Sequence, residues 1–127
     1  MLKLLVVEDH ALVREGLVRL LAQMERGVEV KEAADFETAL NVLENDGEFD
    51  LVLLDLTLPG TDGQLICREL RQQSDIPVIV LTSRVTEVDE VMSMTMGADD
   101  FIPKPYSARV LVARVQALLR RVKGASD

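Results

Sequence analysis

Three carboxylates in this sequence follow short apolar runs. Glu8 and Asp9 come directly after Leu4-Leu5-Val6-Val7, and Asp55 directly after Leu51-Val52-Leu53-Leu54. A hydroxyl, Thr82, closes the run Val78-Ile79-Val80-Leu81, and Lys104 follows Phe101-Ile102-Pro103. If each run is a strand of one sheet, these groups gather on one rim. Three carboxylates held there repel one another by roughly 1 to 4 kcal/mol per pair at about 4 Å, for effective dielectrics of about 80 down to 20. A hard divalent cation offsets that repulsion, and oxygen ligands with room for water suit Mg²⁺ rather than Zn²⁺. One histidine and one cysteine in the whole chain leave no zinc site of the usual composition. Beside such a cation one carboxylate can act as nucleophile toward a phosphoryl group, with lysine and hydroxyl holding the phosphoryl oxygens.

Each residue alone has a plainer explanation. Asp9 could cap a following helix, Thr82 could bond to backbone at a strand end, and Lys104 could be a solvated lysine. Asp55 resists such an explanation, because the next helix is expected to begin only near Asp62. A carboxylate after a fully apolar strand is costly unless it is paired or bound to a cation. The joint recurrence carries the inference. His10 has no second histidine and no Gly-x-Ser-x-Gly partner, so it reads as an exposed loop residue. Cys67 reads as a small hydrophobe on the third helix. Met92, Met94 and Met96, spaced by two, cannot share one helix face.

The elements that must position these groups are legible as apolar runs alternating with helical stripes. The runs are Leu4–Val7, Val28–Lys31, Leu51–Leu54, Val78–Leu81 and the weaker Asp100–Pro103. Three are continuous, as suits strands covered on both faces. Between them lie stripes at helical spacing: Val13, Leu17, Leu20, Leu21 and Met24; Phe36, Ala39, Leu40 and Leu43; Val88, Met92, Thr95 and Met96; and finally Leu111, Val115, Leu118 and Val122. Asp35, the box Thr86-Glu87-Val88-Asp89 and Ser107 supply helix starts, and Pro59-Gly60 a turn after the third strand. This βα alternation predicts an α/β fold, a doubly wound five-stranded parallel sheet of order 2-1-3-4-5 with helices on both faces. In such a sheet the site lies at the carboxyl ends of the strands, where the acids, Thr82 and Lys104 stand. Residues 1–123 read as one domain, and 124–127 as a tail or linker stub.

Composition narrows the class further. The 127 residues are 48% apolar and 28% charged, a globular balance, with a net charge of −8. A domain this acidic is a poor binder of nucleic-acid phosphates. The longest apolar runs fall far short of the roughly 18 residues needed to span a bilayer, and no signal-peptide stretch is read at the N-terminus. One cysteine fits a reducing compartment, so the expected localisation is cytoplasmic. The charge is uneven: Ser107 to Lys123 carries five basic residues and no acid.

Along essentially its whole length the chain resembles the receiver domain of bacterial two-component response regulators, a CheY-like, flavodoxin-like fold. The resemblance rests on Val6-Val7-Glu8-Asp9-His10, Leu53-Leu54-Asp55-Leu56-Thr57-Leu58-Pro59-Gly60, Leu81-Thr82-Ser83 and Gly97-Ala98-Asp99-Asp100-Phe101-Ile102-Pro103-Lys104-Pro105, in order and spacing. It implies that Asp55 is the phosphoacceptor. Asp9 and Asp55 would supply carboxylates to Mg²⁺, Thr57 its backbone carbonyl, and Glu8 would act mostly through water. Thr82 would bond the phosphoryl group, Lys104 would pair with it, and Thr82 and Phe101 would switch on activation. A cis Lys104-Pro105 bond is also implied. The implied function is to accept a phosphoryl group from a sensor histidine kinase and to change the surface formed by the fourth helix, fifth strand and fifth helix. Transcription would be regulated through an output domain not contained in these residues. Beyond self-assisted phosphoryl transfer and autodephosphorylation, no enzyme activity is expected.

Two features refine the resemblance. Residues up to about Gly63 look like NarL-type receivers, and residues from about Ile76 look like the OmpR/PhoB subfamily, so the chain is either an unusual natural receiver or an engineered or recombined one. The basic fifth helix could meet the acidic stretch Glu87 to Asp100 of a second copy across a two-fold axis, with Asp100–Arg114 and Asp99–Arg121 as cross-subunit pairs. Glu90 and Val110 depart from the OmpR/PhoB pattern, which makes the expected homodimer weak. The plainer alternative is that these charges pair within one chain. Other chemistries fit less well. A phosphohydrolase of the haloacid-dehalogenase type wants a second Asp where Thr57 stands, and a flavin phosphate would be repelled by Glu8-Asp9. A docking receiver that no longer phosphorylates would not need this full set of residues.

Overall fold

Strands form where β-branched and leucine residues run continuously, and the pleat sends successive side chains to opposite faces. A computed structural model describes residues 2–24, 27–46, 48–55, 68–72, 75–82 and 97–125, with side chains as far as Arg121. Within these, β1 (Leu2–Val7), β2 (Val28–Ala33), β3 (Leu51–Asp55), β4 (Val78–Thr82) and β5 (Asp100–Pro103) are joined with α1 (Ala11–Ala22), α2 (Phe36–Asn45) and a C-terminal helix, Ala108–Ala125. Residues 68–72 are also helical. All strand pairings are parallel, in the order β2-β1-β3-β4-β5, as the alternation predicts. Thr57, the Pro59-Gly60 turn, Cys67, the box at Thr86, the methionine stripe and the fourth helix lie outside the described residues, as does the side chain of Val122.

Both faces of the sheet are covered. Leu4, Val6, Leu51, Leu53, Ile79, Leu81 and Ile102 point to one face, packed against Leu17 and Leu21 of α1 and against Leu111, Val115 and Leu118 of the C-terminal helix. Their neighbours Leu5, Val7, Val52, Leu54, Val78, Val80 and Phe101 point to the other, under Ala39 of α2 and Leu70. Continuous apolar strands are the consequence: every residue of β3 and β4 is buried, and a fully buried Leu or Val contributes roughly 1.5–3 kcal/mol. β2 has one neighbour only and alternates apolar with charged residues, which explains its fainter signal in the sequence.

Helix starts follow local chemistry. The Thr38 amide donates to Asp35 Oδ1 at 2.7 Å, and that bond holds the Asp35 carboxyl below its ordinary pKa. Ser107 Oγ accepts from the Val110 amide at 3.1 Å. At α1, by contrast, the N-cap is His10, and its side chain makes no capping bond. Asp9 is therefore not the cap, and its carboxylate is left for other use.

The loop into β5 is braced from an unanticipated direction. Gly97 has φ +107°, a conformation that side-chain-bearing residues rarely adopt, and a Cβ there would stand 3.0 Å from the Arg71 side chain. Arg71 donates to the Gly97 carbonyl through Nη2 at 2.6 Å and Nε at 3.1 Å, and pairs with Asp99 at 2.9 Å. The same Asp99 oxygen accepts from the Val78 amide at 2.8 Å, so one carboxylate ties residues 68–72, β4 and the β5 approach together.

Candidate metal and phosphoryl site

The register of the sheet assembles the site. Val7 pairs with Leu54 and Asp55 with Leu81, so Glu8, Asp55 and Thr82 follow one another across three adjacent strand ends. Glu8 and Asp55 are 3% and 2% exposed, whereas Asp9 is open to solvent. Carboxylate oxygens of all three lie within 4.8 Å of one another. Lys104 Nζ stands 2.9 Å from Asp55 Oδ2, brought there by β5. The Lys104 amide donates to the Thr82 carbonyl at 2.7 Å, which ties the β4 and β5 ends, and the Lys104-Pro105 bond is cis as the resemblance implies. Thr82 is fully buried.

Electrostatics mark this rim as strained. Burial, proton sharing with Asp55 and the Asp55 charge push the Glu8 carboxyl up to about 8, with Asp9 adding to the rise and Lys104 opposing it. Glu8 Oε2, although buried, has no hydrogen-bond partner. Half-buried Tyr106 faces the same acids, and its phenol is raised first by burial and then by Glu8 and Asp55. An orphaned buried oxygen beside two further carboxylates is a donor set that fits a hard divalent cation, with Mg²⁺ the chemical match.

A pH dependence follows from Glu8. Between about 4.5, where the unfolded chain releases this proton, and about 8, the folded domain retains it. The folded state thus binds more protons, so stability in EDTA falls as pH rises through that window. Thermal melts at pH 5, 6, 7 and 8 are expected to show a declining Tm, and Glu8→Gln to flatten the decline. A Tm that climbs over that range in both proteins would contradict the assignment.

The structure therefore brings together Glu8, Asp9, Asp55, Thr82 and Lys104, and leaves Thr57 outside the described residues. Phe101 is 8% exposed, in the core on the α2 side of the sheet. The four residues expected at a dimer face lie elsewhere, lining with Ala117 and Leu118 a hollow of about 210 Å³. Here Asp100 pairs with Arg114 inside the chain at 2.8 Å, and Asp99 pairs with Arg71. Two residues near the site went unread in the sequence. Tyr106 stood right after Lys104-Pro105, and Arg14 sat beside the apolar stripe of α1 without belonging to it. Arg14 reaches back to donate to the Glu8 carbonyl at 2.8 Å and to Glu32 Oε1 at 2.9 Å.

Comparison with known proteins agrees with this geometry. The family described as response regulator receiver domain matches residues 4–116. Among curated relatives, the sensory transduction protein RegX3 of Mycolicibacterium smegmatis is 45% identical over 121 residues, covering 95% of this chain and 52% of that protein. That match covers nearly the whole chain, on both sides of residues 63–76. RegX3 of Mycobacterium tuberculosis H37Rv is 44% identical with the same coverage. This chain spans about half the length of the curated relatives it matches. Among solved structures, the BeF3-activated N-terminal receiver domain of Klebsiella pneumoniae RstA superposes with TM-score 0.84 at 36% identity, covering 93% of this chain and 98% of that one. DrrB, an OmpR/PhoB homolog of Thermotoga maritima, gives TM-score 0.84 at 31% identity, covering 95% of this chain and 54% of its own. With the fold, the rim of acids and these likenesses in agreement, the chain belongs to the receiver domains of two-component response regulators.

Proposed function

We propose that Asp55 accepts a phosphoryl group from the phosphohistidine of a sensor kinase, and that Glu8, Asp9 and Asp55, with the Thr57 carbonyl, hold the Mg²⁺ this requires. The observation that carries the reading is the convergence of three carboxylates within 4.8 Å, with Lys104 at 2.9 Å from the most buried of them. An Asp55 oxygen attacks phosphorus, a P–O bond forms, and the P–N bond breaks with its electron pair passing to the imidazole. Lys104 stays as counter-charge and the Thr82 hydroxyl donates to a phosphoryl oxygen. Mg²⁺, when bound, offsets the charge that carboxylates and phosphoryl oxygens bring to one place. The product is a conformational state rather than a released metabolite, so the activity is that of a switch with Thr82 and Phe101 as its moving parts. Incubation with acetyl phosphate tests this: intact mass is expected to rise by one phosphoryl group with Mg²⁺ and to stay unchanged in EDTA. Equal loading in both would reject the site.

The same reading places the domain in the cytoplasm, upstream of an output that regulates transcription, as the similarity to an OmpR/PhoB homolog supports. Among the described residues no helix is long and apolar enough to cross a membrane. A weak homodimer is proposed through the face containing Asp99, Asp100, Arg114 and Arg121. Because Asp100–Arg114 and Asp99–Arg71 already form within one chain, a dimer must exchange or share these partners, and an exposed pair such as Asp100–Arg114 is worth about 0–1 kcal/mol. Sedimentation of the phosphorylated domain is expected to show dimer at low salt and dissociation at high salt. A dimer indifferent to Arg114→Ala would reject this face.

A further inference from the structure

We propose that Arg14 is a positioning residue for the metal site: it fixes the Glu8–Asp9 peptide so that the exposed Asp9 carboxylate is presented to the cation. This rests on the reading of Glu8, Asp9 and Asp55 as Mg²⁺ ligands. Glu8 is tied to the sheet by its amide, which donates to the Ala33 carbonyl of β2 at 3.0 Å. After it the chain leaves the sheet and reaches the α1 N-cap at His10, whose side chain makes no capping bond. Two torsions on either side of the Glu8–Asp9 peptide thus set where Asp9 points. The Glu8 carbonyl accepts from Arg14 Nη1 at 2.8 Å, which locks that peptide's rotation. Arg14 is itself held on two sides. Its amide is bonded to the His10 carbonyl at 2.8 Å within α1, and its Nε pairs with Glu32 on edge strand β2 at 2.9 Å.

A guanidinium suits this task because its fork delivers two N–H groups in fixed directions, one to a carbonyl and one to a carboxylate. Lysine offers a single ammonium that cannot reproduce both. The arrangement runs from β2 through α1 to the β1 end, so a residue on the sheet edge, Glu32, contributes to the geometry of a ligand it does not touch. Partners that orient metal ligands typically cost 10–100-fold in metal affinity when removed. Acting through a backbone carbonyl, Arg14 belongs at the lower end of that range.

The test is a calorimetric titration of the domain with MgCl₂, using wild type, Arg14→Ala, Arg14→Lys and Glu32→Ala. Wild type is expected to bind, Arg14→Ala to bind about tenfold more weakly, and the other two to fall between. The Asp9 amide resonance is expected to shift in every variant before metal is added. Loading with acetyl phosphate separates positioning from general damage. In Arg14→Ala the Mg²⁺ concentration for half-maximal rate should rise about tenfold, while the rate at saturating Mg²⁺ recovers. Wild-type Mg²⁺ affinity in Arg14→Ala would overturn the proposal. If that variant does not fold, Glu32→Ala decides, and unchanged affinity there overturns it equally. Absence of Mg²⁺ binding by wild type is a different failure, which removes the metal reading and this proposal with it.

Discussion

Asp55→Asn is expected to remain unmodified under acetyl phosphate and Mg²⁺ concentrations that load the wild-type domain to completion. The carboxylate is 2% exposed at the end of a strand whose five residues are all buried, so it is shielded from bulk water. An amide in the same place keeps the shape but lacks a nucleophilic oxygen of comparable charge, and it removes one of three acidic donors from the metal cluster. Intact mass spectrometry reads the result directly. The effect is loss of the adduct rather than a graded reduction, because Asp55 is the carboxylate that Lys104 pairs with at 2.9 Å, whereas Glu8 and Asp9 follow a different strand, β1. An adduct of wild-type yield in Asp55→Asn would place the chemistry on another residue.

Removing the ammonium at Lys104 carries the second large effect. Lys104 Nζ lies 2.9 Å from Asp55 Oδ2, with Lys104 partly exposed and Asp55 buried. Truncating one partner of such a pair leaves the other charge in a dry, acidic surrounding, at a cost of about 3 kcal/mol. Lys104→Met isolates the charge, since it keeps much of the apolar stem. Urea unfolding in EDTA is expected to show a stability deficit of about 3 kcal/mol, shrinking in saturating Mg²⁺, where the cation supplies the missing positive charge. A deficit of the same size with and without Mg²⁺ would separate Lys104 from the metal cluster. Loading from acetyl phosphate should slow in the same variant even at saturating Mg²⁺, because the lysine pairs with the incoming phosphoryl group.

The legible part of this protein was what periodicity and burial write into sequence. β1, β3 and β4 announced themselves as continuous apolar runs because both faces of the sheet are covered, and the residue after each run then had to stand on the rim. That logic found Glu8, Asp9, Asp55, Thr82 and Lys104 with no knowledge of contacts. It also found the caps at Asp35 and Ser107, whose bonds span only three residues. What escaped was long-range and side-chain mediated. Arg14 meets Glu32 across 18 positions and Arg71 meets Asp99 across 28, and nothing in local pattern specifies which cation finds which acid. The same limit explains Asp99 and Asp100. Charge asymmetry identified them as an acidic face, but Arg71 and Arg114 hold them within the single chain. Asp9, read as a possible cap, is displaced from that role because α1 begins one residue too late.

The central claim is that the phosphoryl group resides on Asp55, and mapping the adduct tests it most directly. The wild-type domain is loaded with acetyl phosphate and Mg²⁺, reduced with borohydride, digested and sequenced by tandem mass spectrometry. An acyl phosphate is reduced to an alcohol, so the account predicts conversion of residue 55, and no other, from aspartate to homoserine. Conversion at Asp9 or at any other acid, with Asp55 intact, would contradict it.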